Sequence, residues 1–411
     1  MEKAHTSTSH ESPGTASEQT ARNKKQLVER GPSGTALYVH LPFCETKCHY
    51  CDFFSVPALG QDIDGTLQAV LAEARTRAPL HPKTVFIGGG TPSLLNENQL
   101  HVFLTELNAI THFQDSATEV TLESNPESVT RDKVALMLDH GVQRLSIGFQ
   151  SLEPQTLELF GRVHSVDQSF RAHDAARAAG MQDLNLDMIY AAPGHDAAGW
   201  EKALKRVLEL KPDHLSAYNL AFEEDTVFSR WLRNGEVQKL PEEIELEMFQ
   251  TTREVTRQYG MHAYEISNYA QPGRACKHNE NYWANGEYVG IGPSAVSYVN
   301  GVRGGSPRAI APYIKSINKA GHAVDWTERL SPRQSLGETW WLGLRRSAGV
   351  TPEKARAAAH FTEAQDPMLP QAELLVEQGL LELVEGSFRL TQRGIPLADR
   401  VAAEFLGDGD S

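Results

Sequence analysis

From residue 36 onward the chain alternates between two hydrophobic rhythms. Apolar runs rich in β-branched residues occur at 36–41, 84–87, 119–122, 144–149, 184–190 and 214–220, with the length and composition of buried strands. Between and after them, residues 62–78, 97–113, 130–140, 166–179, 197–210 and 242–259 place apolar side chains three and four apart, which lines one face of a helix. Gly141 and Gly180 follow two of these segments and suit the left-handed cap. Strand and helix alternating six times predict parallel strands joined by right-handed crossovers. Six units fall short of the eight in a closed barrel. The pattern therefore predicts an α/β fold, a partial (β/α)6 TIM-like barrel open on one side, over residues 35–270.

Outside that region the rhythm changes. Residues 1–34 are rich in Ser, Thr, Glu, Gly and Lys and contain no aromatic side chain, a composition that predicts a disordered leader. Residues 271–329 read as a linker region carrying a cluster of aromatic and polar residues. From about residue 330 the period turns helical, at 334–346, 352–359 and 370–378. A Gly-centred pair of short strands follows, Leu380-Leu-Glu-Leu-Val-Glu-Gly386-Ser-Phe-Arg-Leu-Thr. Residues 330–411 are thus expected to form a helical, winged-helix-like C-terminal domain. It has no concentrated basic stripe, so closing the open side of the barrel is a better role for it than binding DNA.

Bulk properties narrow the function. A chain of 411 residues can hold two or three domains with substantial cores. Its net charge of −14 argues against nucleic acid as a partner. No apolar run approaches the length of a transmembrane segment, and the N-terminus lacks the apolar core of a secretory signal. Clustered cysteines suit a reducing compartment. A cytoplasmic protein is the expectation.

The chemistry gathers where strands end. Cys44, Cys48 and Cys51, three of the four cysteines, follow the first strand with the spacing C-x3-C-x2-C. Three thiolates on one loop suit a soft metal centre. Mononuclear zinc fits less well because it wants four ligands, although His49 or Cys276 could complete such a site, and burial as small hydrophobes is a further reading. A 4Fe-4S cluster held by three cysteines leaves one iron free for a small chelating molecule. The second strand runs into Gly88-Gly-Gly-Thr91-Pro92-Ser93, the third into Glu123, the fourth into Gln150, and the fifth carries Asp187. Singly these read as a tight turn, helix caps and a buried structural acid, and Arg162 as a surface charge. Together they fall on the rim where such barrels do their chemistry.

The motifs Y-x-H-x-P-F-C-x3-C-x2-C from Tyr38, GGGTPS from Gly88, Phe149-Gln150, Gly161-Arg162-Val-His164 and Leu186-Asp187-Met-Ile-Tyr190 resemble those of the radical S-adenosylmethionine (SAM) superfamily, in its coproporphyrinogen-oxidase-like branch. The resemblance implies that Cys44, Cys48 and Cys51 ligate a 4Fe-4S cluster whose fourth iron chelates S-adenosyl-L-methionine. It implies that Gly89, Gly90 and Thr91 hold the methionine amino group, with Glu123 nearby. Arg162 would pair with the carboxylate, Gln150 and Asp187 would meet the ribose, and Tyr38, Tyr50 and Ala221 would line the cluster and the adenine. Residue chemistry agrees: a guanidinium grips a carboxylate with two prongs.

Two departures choose within the branch. Dehydrogenase members carry a further cysteine two residues after the third, where this chain has Phe53. In the 271–329 region, Cys276-Lys-His278-Asn279-Glu-Asn281-Tyr282-Trp283 resembles the H-N-x-x-Y-W signature of heme-chaperone members. That implies heme as a ligand, with His278 a candidate for the iron and Tyr282 and Trp283 packing on the macrocycle. The plainer reading is that these aromatics anchor a loop between the domains. Val296 in Gly290-Ile-Gly-Pro-Ser-Ala-Val296-Ser stands where such sequences often carry a histidine. The function implied is a heme chaperone that passes heme to an acceptor protein. The alternatives are an oxygen-independent coproporphyrinogen III dehydrogenase and a radical SAM heme-degrading methyltransferase. The sequence leaves a homodimer open.

Overall fold

In the computed structural model, which describes residues 16–406, all six expected strands form in place. They are β1 (Ala36–Leu41), β2 (Val85–Gly89), β3 (Val120–Ser124), β4 (Arg144–Gln150), β5 (Asp183–Tyr190) and β6 (His214–Asn219). They lie side by side in chain order and pair in parallel. Parallel pairing demands a crossover after each strand, and helices supply it.

The helix α1 (Ala16–Val28) precedes the sheet, and the crossovers begin at α2 (Ile63–Arg77), α3 (Glu97–Thr111), α4 (Arg131–Asp139), α5 (Val166–Ala179) and α6 (Ala197–Leu208). Each crossover helix starts where a side chain can accept the free amides of its first turn. Asp62, Asn96, Thr130, Ser165 and Asp196 do so, and Asn96 and Ser165 complete capping boxes with Gln99 and Gln168. The last long helix, α7 (Glu242–Gln258), uses Pro241 and three glutamates in its first turn instead, which suit the helix dipole. The buried faces of these helices and the strands share one core, from Leu37 and Val70 to Leu186 and Met248.

The sheet does not close. Beyond β6 it continues antiparallel through β8 (Asn268–Ala270) to the two-residue β7 (His262–Ala263). At the opposite edge the expected linker proves to be more sheet: β9 (Tyr288–Ile291) pairs in parallel with β1, and β10 (Val296–Val299), β11 (Val302–Gly305) and β12 (Trp326–Arg329) follow antiparallel. The same segment includes α8 (Lys277–Trp283) and α9 (Ile310–Ala320). A buried Arg77–Glu73 pair on α2 ties it down, since Glu73 accepts from Gly292 N–H and Tyr313 O–H while Arg77 donates to Ser297.

The disordered leader needs a second correction. Residues 1–15 lie outside the described residues, but α1 is a helix. Leu27 is buried against Gly304, Leu27 O accepts from Arg77, and Asn23 and Gln26 accept from Arg329. One leucine and a set of tertiary hydrogen bonds order a segment whose composition alone would not.

The C-terminal domain has its own core, in which α10 (Pro332–Gly343), α11 (Pro352–Ala358) and α12 (Leu369–Glu377) pack on the hairpin β13 (Leu381–Val384) and β14 (Ser387–Leu390). Trp340 stacks on Phe405 at its centre. Helices plus a two-stranded wing are the elements expected. The domain reaches Tyr264 through Ser347 and packs on Ile266 beside one edge of the sheet, and it meets Asn285 and Arg303 on the other side through Thr339 and Glu338. It thereby contacts both edge regions of the sheet.

Candidate functional site

The cysteine loop is tied to the barrel rim at both ends. Gly90 N–H donates to Leu41 O and Thr91 N–H to Phe43 O, so the turn after β2 lies directly under the loop. A Cβ on Gly90 would sit 2.6 Å from the Phe43 carbonyl oxygen and 2.7 Å from that of Leu41, so only glycine allows this approach. His40 closes the loop's far end. Its Nε2 lies 2.8 Å from Phe54 O and must carry the proton, which leaves Nδ1 to accept the Tyr38 hydroxyl at 2.9 Å. Burial pushes the His40 pKa down to about 4, so the ring stays neutral, as this arrangement requires.

Cys44, Cys48 and Cys51 face one cavity of about 510 Å³ at the C-terminal ends of the strands. Every residue expected at S-adenosylmethionine lines it except Tyr38, which lines a neighbouring cavity instead. Tyr50 anchors the loop between Phe160 and Phe228, and Ala221 lies on the wall beyond β6.

Hydrogen bonds link two of the thiols through the cofactor-facing groups. Thr91 Oγ1 donates to Cys44 Sγ at 3.5 Å, and Arg162 Nη1 donates to Cys48 Sγ at 3.4 Å. Asn125 joins the two, donating to Thr91 Oγ1 at 2.9 Å and accepting from Arg162 Nη2 at 2.5 Å. Gly148 O accepts from the same guanidinium at 3.1 Å. Asn125 was not among the expected site residues. Gln150 adopts φ 64° beside an irregularity in the β4–β5 register, an uncommon conformation for a side chain with a Cβ.

Two carboxylates form the floor. Glu123 accepts from Gly89 N–H at 2.9 Å, and burial pushes its pKa up to about 7, helped by Asp187. Asp187 accepts from Ser146 at 2.9 Å and Asn185 at 2.7 Å. Burial raises its pKa also. Below it Asn185 accepts from His214, whose other nitrogen meets the Tyr264 hydroxyl.

The donor set fits an iron–sulfur cluster. Three thiols share one cavity with two donors aimed at their sulfurs, the kind of contact that tunes a thiolate-bound cluster. Burial pushes the Cys51 thiol up to about 11 and raises that of Cys44, so loading must displace protons. The zinc readings lack a fourth ligand: His49 is held by Leu159 O and packs edge-on to Trp231, while Cys276 is buried at the opposite end of the barrel, donating to Glu119. A bound cluster would supply single electrons and an open iron for the methionine moiety. Arg162, Thr91 and Asn125 would orient that moiety, and Asp187 and Gln150 the ribose.

The heme candidates separate. His278 is fully buried below β2, with Nδ1 at 2.9 Å from Thr84 Oγ1 and Nε2 at 2.9 Å from the Tyr282 hydroxyl. Burial pushes its pKa down to about 3. Both nitrogens are engaged, so this geometry does not support it as an iron ligand. Trp283 carries the Arg345 guanidinium over its ring. Of the three, Tyr282 lines a second cavity of about 500 Å³ between β1, β9–β11 and α10, which shares Asp52 and Phe53 with the first.

Fold and site together define a radical S-adenosylmethionine domain. The sequence profile of the radical SAM superfamily matches residues 38–207. The chain is 35% identical to the heme chaperone HemW of Bacillus subtilis (strain 168), over 90% of this chain and 99% of that one. It is 33% identical to HemW of Mycobacterium tuberculosis (strain ATCC 25618 / H37Rv), over 90% and 94%. It is also 31% identical to the mitochondrial radical S-adenosyl methionine domain-containing protein 1 of Bos taurus, over 92% and 88%. The solved structure of coproporphyrinogen III oxidase (HemN) from Escherichia coli is similar in fold, with a TM-score of 0.78 at 22% identity over 93% of this chain and 92% of that one. The chain belongs to the radical SAM superfamily and, within it, to the family of these HemW proteins.

Proposed function

We propose that this protein is a heme chaperone: it binds heme and passes it to an acceptor protein, in the cytoplasm. A 4Fe-4S cluster on Cys44, Cys48 and Cys51 and S-adenosyl-L-methionine held by Gly89, Gly90, Thr91, Glu123, Gln150, Arg162, Asp187, Tyr50 and Ala221 serve that transfer. The observation that carries this reading is the span of the similarity to proteins named heme chaperone, which takes in the C-terminal domain as well as the barrel. Phe53 supports it, because it stands where dehydrogenase members carry a further cysteine. The cytoplasmic assignment is supported by four cysteines that are all unpaired. Among the described residues no helix is long and apolar enough to cross a membrane.

The test is anaerobic incubation of cluster-loaded protein, first with coproporphyrinogen III and S-adenosylmethionine, then with hemin. A stable Soret band without decarboxylated product is expected. Formation of protoporphyrinogen IX would overturn the reading in favour of a dehydrogenase, and SAM-dependent ring opening of heme would favour the methyltransferase.

A further inference from the structure

We propose that the second cavity seats the tetrapyrrole, that Arg308 at its mouth pairs with a tetrapyrrole carboxylate, and that His278 acts from behind Tyr282 rather than on the iron. This rests on the heme-binding reading above and says where and how the ligand is held.

The cavity has the size and lining that a flat aromatic ring needs. Tyr282, Tyr288 and Tyr298 stand on its barrel side and Trp341 on the side of the C-terminal domain. Tyr282 meets Tyr288 edge-on, ring centroids 4.6 Å apart, and turns its own hydroxyl to His278, so its ring is available for packing.

The two arginines there differ in availability. Arg303 donates to both Glu338 oxygens at 2.7 Å. That pair fastens β11 to α10 and sets the width of the cavity. Arg308 is mostly exposed, donating to Asp52 O at 3.0 Å with the Asp52 carboxylate 3.8 Å away. An exposed pair of this kind contributes little, so an incoming carboxylate can take the guanidinium over with a two-pronged contact.

His278 does not reach the cavity. Its ring stands at 89° to that of Tyr282, with centroids 4.9 Å apart and Nε2 on the hydroxyl. The histidine therefore fixes the angle of a cavity-facing tyrosine. It is a positioning residue, and an amide at the same place can perform that task.

The experiment is titration of the full chain with hemin and with metal-free protoporphyrin IX, read by Soret absorbance and aromatic fluorescence. Val296→Trp, which fills the cavity, and Arg308→Ala, a surface change that leaves the fold intact, should each weaken both ligands about 10-fold or more, about 1.4 kcal/mol. Protoporphyrin dimethyl ester, whose carboxylates are blocked, should bind wild type and Arg308→Ala alike. His278→Ala should weaken hemin binding, and His278→Gln should restore it with an unchanged ferric spectrum. Curves for Arg308→Ala and Val296→Trp that superimpose on wild type would overturn this site. A changed ferric spectrum and no recovery in His278→Gln would overturn the positioning role. Wild type that binds no hemin at all would sink the chaperone reading itself, a result distinct from both.

Discussion

Asn125 touches two cofactor-facing groups at once, and nothing in its spacing announces it. An Asn before a Pro reads as the start of a turn, and only the folded chain shows its amide between Thr91 and Arg162. Asn125→Leu keeps the volume and removes both hydrogen bonds, one of them to a charged partner. Such bonds contribute about 1.5–3 kcal/mol, so S-adenosylmethionine should bind roughly 10- to 100-fold more weakly while iron and sulfide content stays at the wild-type level. Equilibrium binding to reconstituted protein measures this. Glu123 makes a pH-dependent prediction. Its pKa rises on folding from 4.5 to about 7, so the native state holds the proton more tightly. The stability this contributes is complete below pH 4.5 and is lost as pH climbs through 7, amounting to about 3 kcal/mol. Glu123→Gln should therefore melt like wild type near pH 4.5 and gain on it progressively up to pH 8. A gap between the two melting curves that stays constant with pH would contradict this origin.

The barrel's strands and crossover helices were legible because each repeats a pattern long enough to register: β-branched runs, then apolar residues at helical spacing behind a capping side chain. The strands β9 to β12 escaped because they are only four residues long, and β9 and β11 are partly glycine. In Val302-Arg-Gly-Gly305 the glycines exist so that other groups can sit on them. A Cβ on Gly304 would meet Leu27, and one on Gly305 would meet the Trp326 indole. Helix α1 escaped for the same reason from the other side, since its ordering partner lies some 275 residues away in sequence. The turn after β2 shows the opposite case, a motif whose meaning survives folding. Gly90→Ala would press a methyl against two backbone carbonyls, which cannot swing aside as a side chain would. A loss of about 1–3 kcal/mol is expected, visible as a lower denaturant midpoint with an unchanged slope.

Across the molecule, the two ends of the barrel have separate tasks. The C-terminal rim carries the thiols and the cofactor groups. The N-terminal end carries a buried polar network in which Glu119 accepts from Cys276 and the amides of Lys277 and His278, and Arg144 pairs with Asp183. That network holds α8, and α8 holds Tyr282. The sequence placed the aromatic signature between domains but could not show that its histidine points into the base of the barrel. Domain attachment should be sensitive at the Arg303–Glu338 pair. Glu338→Ala leaves Arg303 without its two-pronged partner and should speed amide hydrogen exchange across α10 and β11, with the barrel strands unchanged.

The turn at Asp52 and Phe53 is a party wall between two rooms. A substitution there alters both tenancies, so a Phe53 variant scored by sulfonium binding alone would hide whatever it does to the neighbour. Only paired titrations, one occupant at a time and then together, separate damage to the wall from conversation through it.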